Sequence, residues 1–322
     1  MENWSTGVLA SWITITPTLH HSSTAGFFLM LLPRFKYHEP ATLAEACRIM
    51  AELGGSVRPI AGGTDLLVNM RRRTVAPENV VSLGRIKELY TMEWSGRTFT
   101  IGACCTVASL AESSEIASKF YALREGALSL GSPLVRNLAT VGGNLVTARP
   151  AADLPPPLMG YGGSVTLQSD RERRMVPLDQ FFLGPGQTAM KPVEILTRIV
   201  VETPPAFSGS SYIKLGTRRS LEISIVSVAS FLALESPEGK IQSARIVLGA
   251  VAPVPIRARD AEKTVMGETP SRSLFVKAGE TAAEESKPID DHRGTAEYRR
   301  AMVSVLTRKT LHAALERANA GK

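Results

Sequence analysis

Between residues 42 and 53 the apolar positions Leu43, Ala46, Cys47, Met50 and Leu53 fall on one face of a helical period, with polar residues between them. Thr42 and Glu45 have capping-box spacing at its start and Gly54-Gly55 closes it, so a helix is predicted here. The period then shortens. Residues 56–60 read as a strand, broken by Ala61-Gly62-Gly63-Thr64-Asp65, and residues 66–72 start a second helix. Residues 79–83 read as another strand, and 89–94 pair with 97–101 across the Ser95-Gly96 turn. Helices are predicted over 106–113 and 118–130, and Gly131 opens a loop-rich stretch running to Pro157.

The second half changes character. Short β segments at 165–168, 175–177 and 195–201 are separated by turns such as Gly184-Pro185-Gly186. Residues 203–211 combine prolines with small flexible residues, which is linker chemistry, and a domain boundary is placed there. Beyond it, 223–235 and 241–251 form a hairpin around Pro237-Glu238-Gly239-Lys240, and helices begin at Ala258, Ser271 and Thr295. The expected organisation is an extension over 1–32, one domain over 33–205 and a smaller α+β domain over 210–317.

Composition narrows the function classes. The 322 residues are 44% hydrophobic and 21% charged, enough to build two packed domains. The net charge of +7 comes from 37 basic and 30 acidic residues that are mixed along the chain. The densest basic runs, at 71–73 and 171–174, lack the aromatic or groove-entering companions of a nucleic-acid surface and read as solvated or protein-contacting. Three cysteines are too few for a four-thiolate cluster and read as small core residues, and the five histidines have no metal-ligand spacing. The first thirty residues have no basic start and too short an apolar run for a membrane span. They read as a disordered extension or a start assigned too early, and the expected compartment is cytoplasmic.

Two segments carry the chemistry: Ala61-Gly62-Gly63-Thr64-Asp65 and Thr140-Val141-Gly142-Gly143-Asn144. Paired glycines allow positive φ and let backbone N–H groups converge on an oxyanion, and Thr64, Thr140 and Asn144 can add side-chain hydrogen bonds. Such a nest suits a pyrophosphate without a lysine. Neither segment has the spacing of a P-loop or a Rossmann turn. Taken singly, each reads more readily as a tight turn than as a ligand loop, and Thr64 or Asp65 can serve to cap the helix after the first segment.

The ordered stretches FKYHEPATLAEA, PIAGGTDLL, FTIGA, LVRNLATVGGN, TARPAADLPPPL and YIKLGTRRSLEISIVSVA resemble the FAD-binding subunit of the xanthine dehydrogenase and carbon monoxide dehydrogenase family, over about residues 33–317. The resemblance implies an α+β fold: a two-part FAD-binding domain of the vanillyl-alcohol oxidase and p-cresol methylhydroxylase type, then a smaller α+β C-terminal domain. It also implies that both glycine segments wrap the FAD diphosphate, with Asp153 on FAD hydroxyl groups and Lys214 near the flavin. Asp153 is equally a helix cap, and Lys214 equally a solvated or salt-bridged residue. The 4-hydroxybenzoyl-CoA reductase flavoproteins share a stretch like GTDLLVNMRR but carry a cysteine-bearing insertion for a further cluster. This chain has no cysteine after Cys105, so FAD alone is expected.

The family implies partners: a large molybdopterin subunit that oxidises a substrate, a small 2Fe-2S subunit that relays electrons, and an external acceptor. Two other readings stay open. One is a self-contained flavin oxidoreductase, for which Tyr212 is the evident proton-handling candidate in the C-terminal domain. The other is a flavin-free scaffold.

Overall fold

A computed structural model describes residues 31–218 and 220–320. The expected extension therefore lies, but for its last two residues, outside the described residues. The first unit is a small parallel sheet of β1 (Lys36–His38), β3 (Asn79–Ser82) and β2 (Val57–Ile60), with β3 in the centre. The helix Leu43–Leu53 covers it as its apolar face dictates, burying Leu43, Ala46, Cys47 and Met50. Thr42 accepts from the Glu45 amide at 3.2 Å, while the Glu45 carboxylate accepts from the amide of Ala41 at 2.9 Å.

A five-stranded antiparallel sheet follows, in the order β4 (Met92–Ser95), β5 (Thr98–Gly102), β10 (Ile195–Glu202), β6 (Ser164–Gln168) and β7 (Arg173–Pro177). Two short strands, β8 (Phe182–Gly184) and β9 (Gln187–Thr188), pair across the Pro185-Gly186 turn. The C-terminal sheet runs β11 (Ser208–Leu215), β12 (Val226–Leu234), β13 (Ile241–Gly249) and β14 (Ile256–Arg257), all antiparallel.

The central strand β12 is buried along its whole length because both of its faces are covered. Ala229, Phe231 and Ala233 belong to the core beneath the five-stranded sheet. The alternate positions Val226, Val228, Leu232 and Leu234 belong to a second core under the C-terminal helices. The buried Ser230 on that side reaches Thr310 of the helix Ala296–Ala320 at 2.7 Å. A chain of aromatic rings from Trp94 through Phe99, Phe120 and Tyr161 to Phe231 ties the two sheets together.

Three expectations fail in detail. The stretch 131–157 is not loop: it holds the helices Pro133–Arg136, Val141–Val146 and Pro155–Gly160. Pro133 and Pro155 stand at the first helical positions, where a missing N–H costs nothing. The helix expected over 118–130 is instead two, Ser114–Lys119 and Tyr121–Ser129, divided at the fully buried Phe120. Finally, Ser208 to Ser211 belong to β11 and not to a linker. Small residues stand there because the long C-terminal helix lies directly on them: a Cβ on Gly209 would sit 2.1 Å from the carbonyl oxygen of Ala314.

Gly209→Ala is therefore expected to destabilise the protein by about 1–3 kcal/mol in urea unfolding, the usual cost of overpacking. Gly55→Ala, where a Cβ meets nothing within 4 Å, is the control and should stay within about 0.5 kcal/mol of the parent.

Candidate functional site

The first glycine segment joins β2 to the short helix Leu66–Arg71. Gly63 has φ +71°, which an L side chain resists. Gly62 is required for another reason: a Cβ there would lie 1.7 Å from the carbonyl oxygen of Leu138, so the segment abuts the chain just before the second glycine segment. Among the described residues, the amides of Ala61, Gly62, Gly63, Thr64 and Asp65 have no acceptor, although Gly63 and Asp65 accept from Leu67 and Asn69 through their carbonyls. Asp65 precedes the helix without capping it through its side chain, and Thr64 makes no side-chain hydrogen bond in the described chain. Five amides and two polar side chains are thus left available.

The second segment behaves differently, and the expectation of an open N–H nest fails there. It is the start of the helix Val141–Val146, and Thr140 caps it by accepting from Gly143 at 3.1 Å. The amides of Val141, Gly142 and Asn144 go to the carbonyls of Cys105, Ala103 and Thr140. Gly142 is needed because a Cβ would press on Ala103 at 2.8 Å. What this segment leaves unpaired is the carboxamide N–H₂ of Asn144, whose oxygen takes the Leu154 amide at 3.4 Å.

Both segments line one cavity of about 460 Å³. Ala61, Gly62, Gly63, Thr64 and Asp65 form one wall, and Thr140, Gly142, Gly143 and Asn144 form the other. Val141 instead points into the core and is fully buried. Apolar side chains such as Ile60, Leu83, Leu130, Val135 and Leu196 complete the lining. Cys104 lines it too, as a buried thiol pushed up to about 12 by desolvation and then by Cys105, which makes it unreactive. A second cavity of about 750 Å³ shares Asp65, Asn144 and Thr147 with the first and extends toward the C-terminal domain. The two spaces adjoin along these shared residues.

Asp153 lines the second cavity but is only 5% exposed. One carboxylate oxygen accepts from the Tyr212 hydroxyl at 2.9 Å and from the Ser224 hydroxyl at 3.2 Å. The other accepts from the Lys214 ammonium at 2.9 Å, which also donates to the Ser129 carbonyl at 3.2 Å. Asp153 and Lys214, each expected to face the cofactor, are thus paired with one another, and Lys214 is not among the side chains that line either cavity. Burial raises the Asp153 carboxyl above the usual aspartate range, opposed by the Lys214 charge and by the three hydrogen bonds. Burial, and then the Asp153 charge, raise the Tyr212 phenol well above its ordinary value.

Sequence reasoning missed the far wall of the second cavity. Arg299, 5% exposed, donates to Asp291 at 2.5 Å and to the Ala250 carbonyl at 3.3 Å. It pins the loop that brings Lys287 and Arg293 to the cavity. Nothing in the local pattern of 287–299 marks these residues, because their neighbours come from distant strands.

The chain matches two families: residues 33–204 match the FAD binding domain in molybdopterin dehydrogenase, and residues 211–314 the CO dehydrogenase flavoprotein C-terminal domain. It is 32% identical to the carbon monoxide dehydrogenase medium chain of Afipia carboxidovorans, over 90% of this chain and 99% of that one. It is 29% identical to the xanthine dehydrogenase FAD-binding subunit of Escherichia coli O157:H7, over 87% and 95%. A solved structure of carbon monoxide dehydrogenase from Hydrogenophaga pseudoflava superposes with a TM-score of 0.85 at 31% identity, covering 89% of this chain and 99% of that one.

Lys214→Met removes the cation that opposes the burial of Asp153, so the native carboxyl rises further while the unfolded one stays near about 4. A raised native value favours folding below the unfolded one, and that advantage is lost as pH climbs through the native value. The variant should therefore be less stable than the parent by about 3–5 kcal/mol at neutral pH. The deficit should shrink on acidification toward the ordinary aspartate range, as read by thermal melts across pH. A deficit that does not depend on pH would show that Asp153 carries no charge in the parent.

Proposed function

The chain belongs to the FAD-binding subunits of molybdenum hydroxylases of the carbon monoxide dehydrogenase and xanthine dehydrogenase type, and on that premise we propose that it holds FAD across the two adjoining cavities and passes electrons between partner subunits and an external acceptor. The observation that supports this most is the run of unpartnered amides from Ala61 to Asp65, facing the Thr140 to Asn144 segment across one cavity. A diphosphate there takes the hydrogen bonds that the chain leaves unmade, which is the condition a buried anion sets. The residues present fit the cofactor.

Each residue then has a definite task. The amides of the first segment hold the diphosphate, and Thr64 and Asn144 add a hydroxyl and a carboxamide donor from opposite walls. Thr140 acts at one remove, keeping the second segment in shape by capping its helix. The apolar lining of the first cavity excludes water from one end of the ligand, and the second cavity receives the other. Bound FAD supplies the redox chemistry, taking electrons singly and releasing them in pairs. The large molybdopterin subunit and the small 2Fe-2S subunit are the proposed electron source. The medium-chain relatives support this, since each is named as one chain of a larger enzyme. Tyr212 does not serve a self-contained oxidase, because it is buried and committed to Asp153.

FAD is expected to bind non-covalently, one per chain, in a fluorescence titration. Gly63→Val should abolish retention, because a β-branched residue resists a φ of +71° and displaces the amides beside it. Thr64→Ala and Asn144→Ala should weaken binding about three- to tenfold, the worth of one hydrogen bond. If both alanine variants fold and bind FAD as tightly as the parent, the diphosphate does not lie between these segments.

A further inference from the structure

Asp153 accepts three side-chain hydrogen bonds although it lies almost wholly out of solvent. Three donors converge on it, all from the C-terminal domain: Tyr212 and Lys214 of β11, and Ser224 just before β12. Tyr212 and Lys214 stand two apart on β11 and so share one face of the strand. Both oxygens of Asp153 are thereby committed, one to two hydroxyls and one to the ammonium. Tyr212 and Ser224 are themselves 4% and 3% exposed. Lys214 is as buried as its partner, its side chain 9% exposed against 7% for Asp153.

We propose that Tyr212 and Ser224 are positioning residues for Asp153, holding its carboxylate charged and turned onto Lys214 so that the cofactor meets a compensated pair and not a bare cation. This rests on the reading that FAD extends into the second cavity, whose wall includes both Asp153 and Ser224. The reduced cofactor carries more negative charge than the oxidised one, so an uncompensated ammonium nearby favours reduction. Asp153 cancels that pull while it is ionised. Burial works against ionisation, and the two hydroxyls oppose burial. Tyr212 stays protonated as a donor, because its own phenol is raised well above the ordinary range. The titratable groups in contact with Asp153 are Lys214 and Tyr212, and the same cavity is lined by the acids Asp65, Glu222 and Asp291 and by the bases Arg72, Arg149, Lys287, Arg293 and Arg299.

The test uses the full chain loaded with FAD, labelled with carboxyl-¹³C aspartate, with Asp153→Asn to assign the resonance. In Tyr212→Phe the Asp153 titration should move up by at least about one pH unit, the tenfold change expected when a charged group loses one hydrogen bond. Ser224→Ala should move it the same way by less. Between the parent's midpoint and the shifted one, the potential of bound FAD should rise relative to the parent, while above the shifted midpoint and below the parent's it should match. A titration unmoved in both variants overturns the positioning role, and so does loss of stability or of FAD without such a shift. A shifted titration with an unchanged potential overturns the effect on the cofactor. The carboxyl titration does not depend on where FAD lies, so failure of the binding-site reading shows separately, as a parent chain that takes up no FAD. Ser224→Ala carries the test should Tyr212→Phe fail to fold.

Discussion

The backbone of Gly62 approaches the carbonyl of Leu138 so closely that no side chain fits between them, and the site is organised around that contact. Two segments about eighty residues apart in sequence become opposite walls of one space because of it. Without the contact, the free amides after β2 would face solvent, where an anion gains little over its hydration. With it, they face an apolar lining and a polar side chain from the other wall. The glycine at 62 is there for packing between backbones, while the glycine at 63 is there for its backbone angle.

The two glycine segments look alike in sequence and do different work. Which amides are free is decided by what the neighbouring strand ends offer. After β2 the chain turns away from its sheet, and among the described residues no carbonyl accepts from its amides. The second segment runs beside residues 103–105, whose carbonyls take its amides at once. A pattern of residue types cannot register this, because it depends on a strand end brought in from elsewhere. The same holds for Asp153 and Lys214. The family resemblance implied Asp153 on FAD hydroxyl groups and Lys214 near the flavin, but the 2.9 Å between them turns two separate roles into one ion pair.

Much else was legible. The helix over 43–53, the hairpin of β12 and β13 and the three C-terminal helices follow from periodicity, caps and turn residues that act locally. The errors share a cause. Residues 203–211 were read through their prolines and small residues, and 131–157 from the glycine that opens it, residue types that favour loops when nothing else acts. In the folded chain those residues satisfy tertiary demands: Gly209 admits a helix backbone, and Pro133 and Pro155 open short helices.

Strand β11 shows how one segment serves both stability and the site. Its early residues are small, and there the long C-terminal helix lies on the strand; Arg317 of that helix reaches the Ser210 carbonyl at 2.6 Å and Glu125 at 2.5 Å. Glu125 in turn accepts from the Tyr212 amide at 2.7 Å, which fixes the strand against the helix Tyr121–Ser129. Two residues farther on, the same strand delivers Lys214 to Asp153. The register that satisfies the packing end therefore also sets the polar end, since a slip of one residue would turn Tyr212 and Lys214 to the opposite face. A buried ion pair adds little to stability once its desolvation is counted. Its retention here is better explained by what it fixes: the charge presented to the second cavity and the alignment of the C-terminal domain against the wall that bears Asp153.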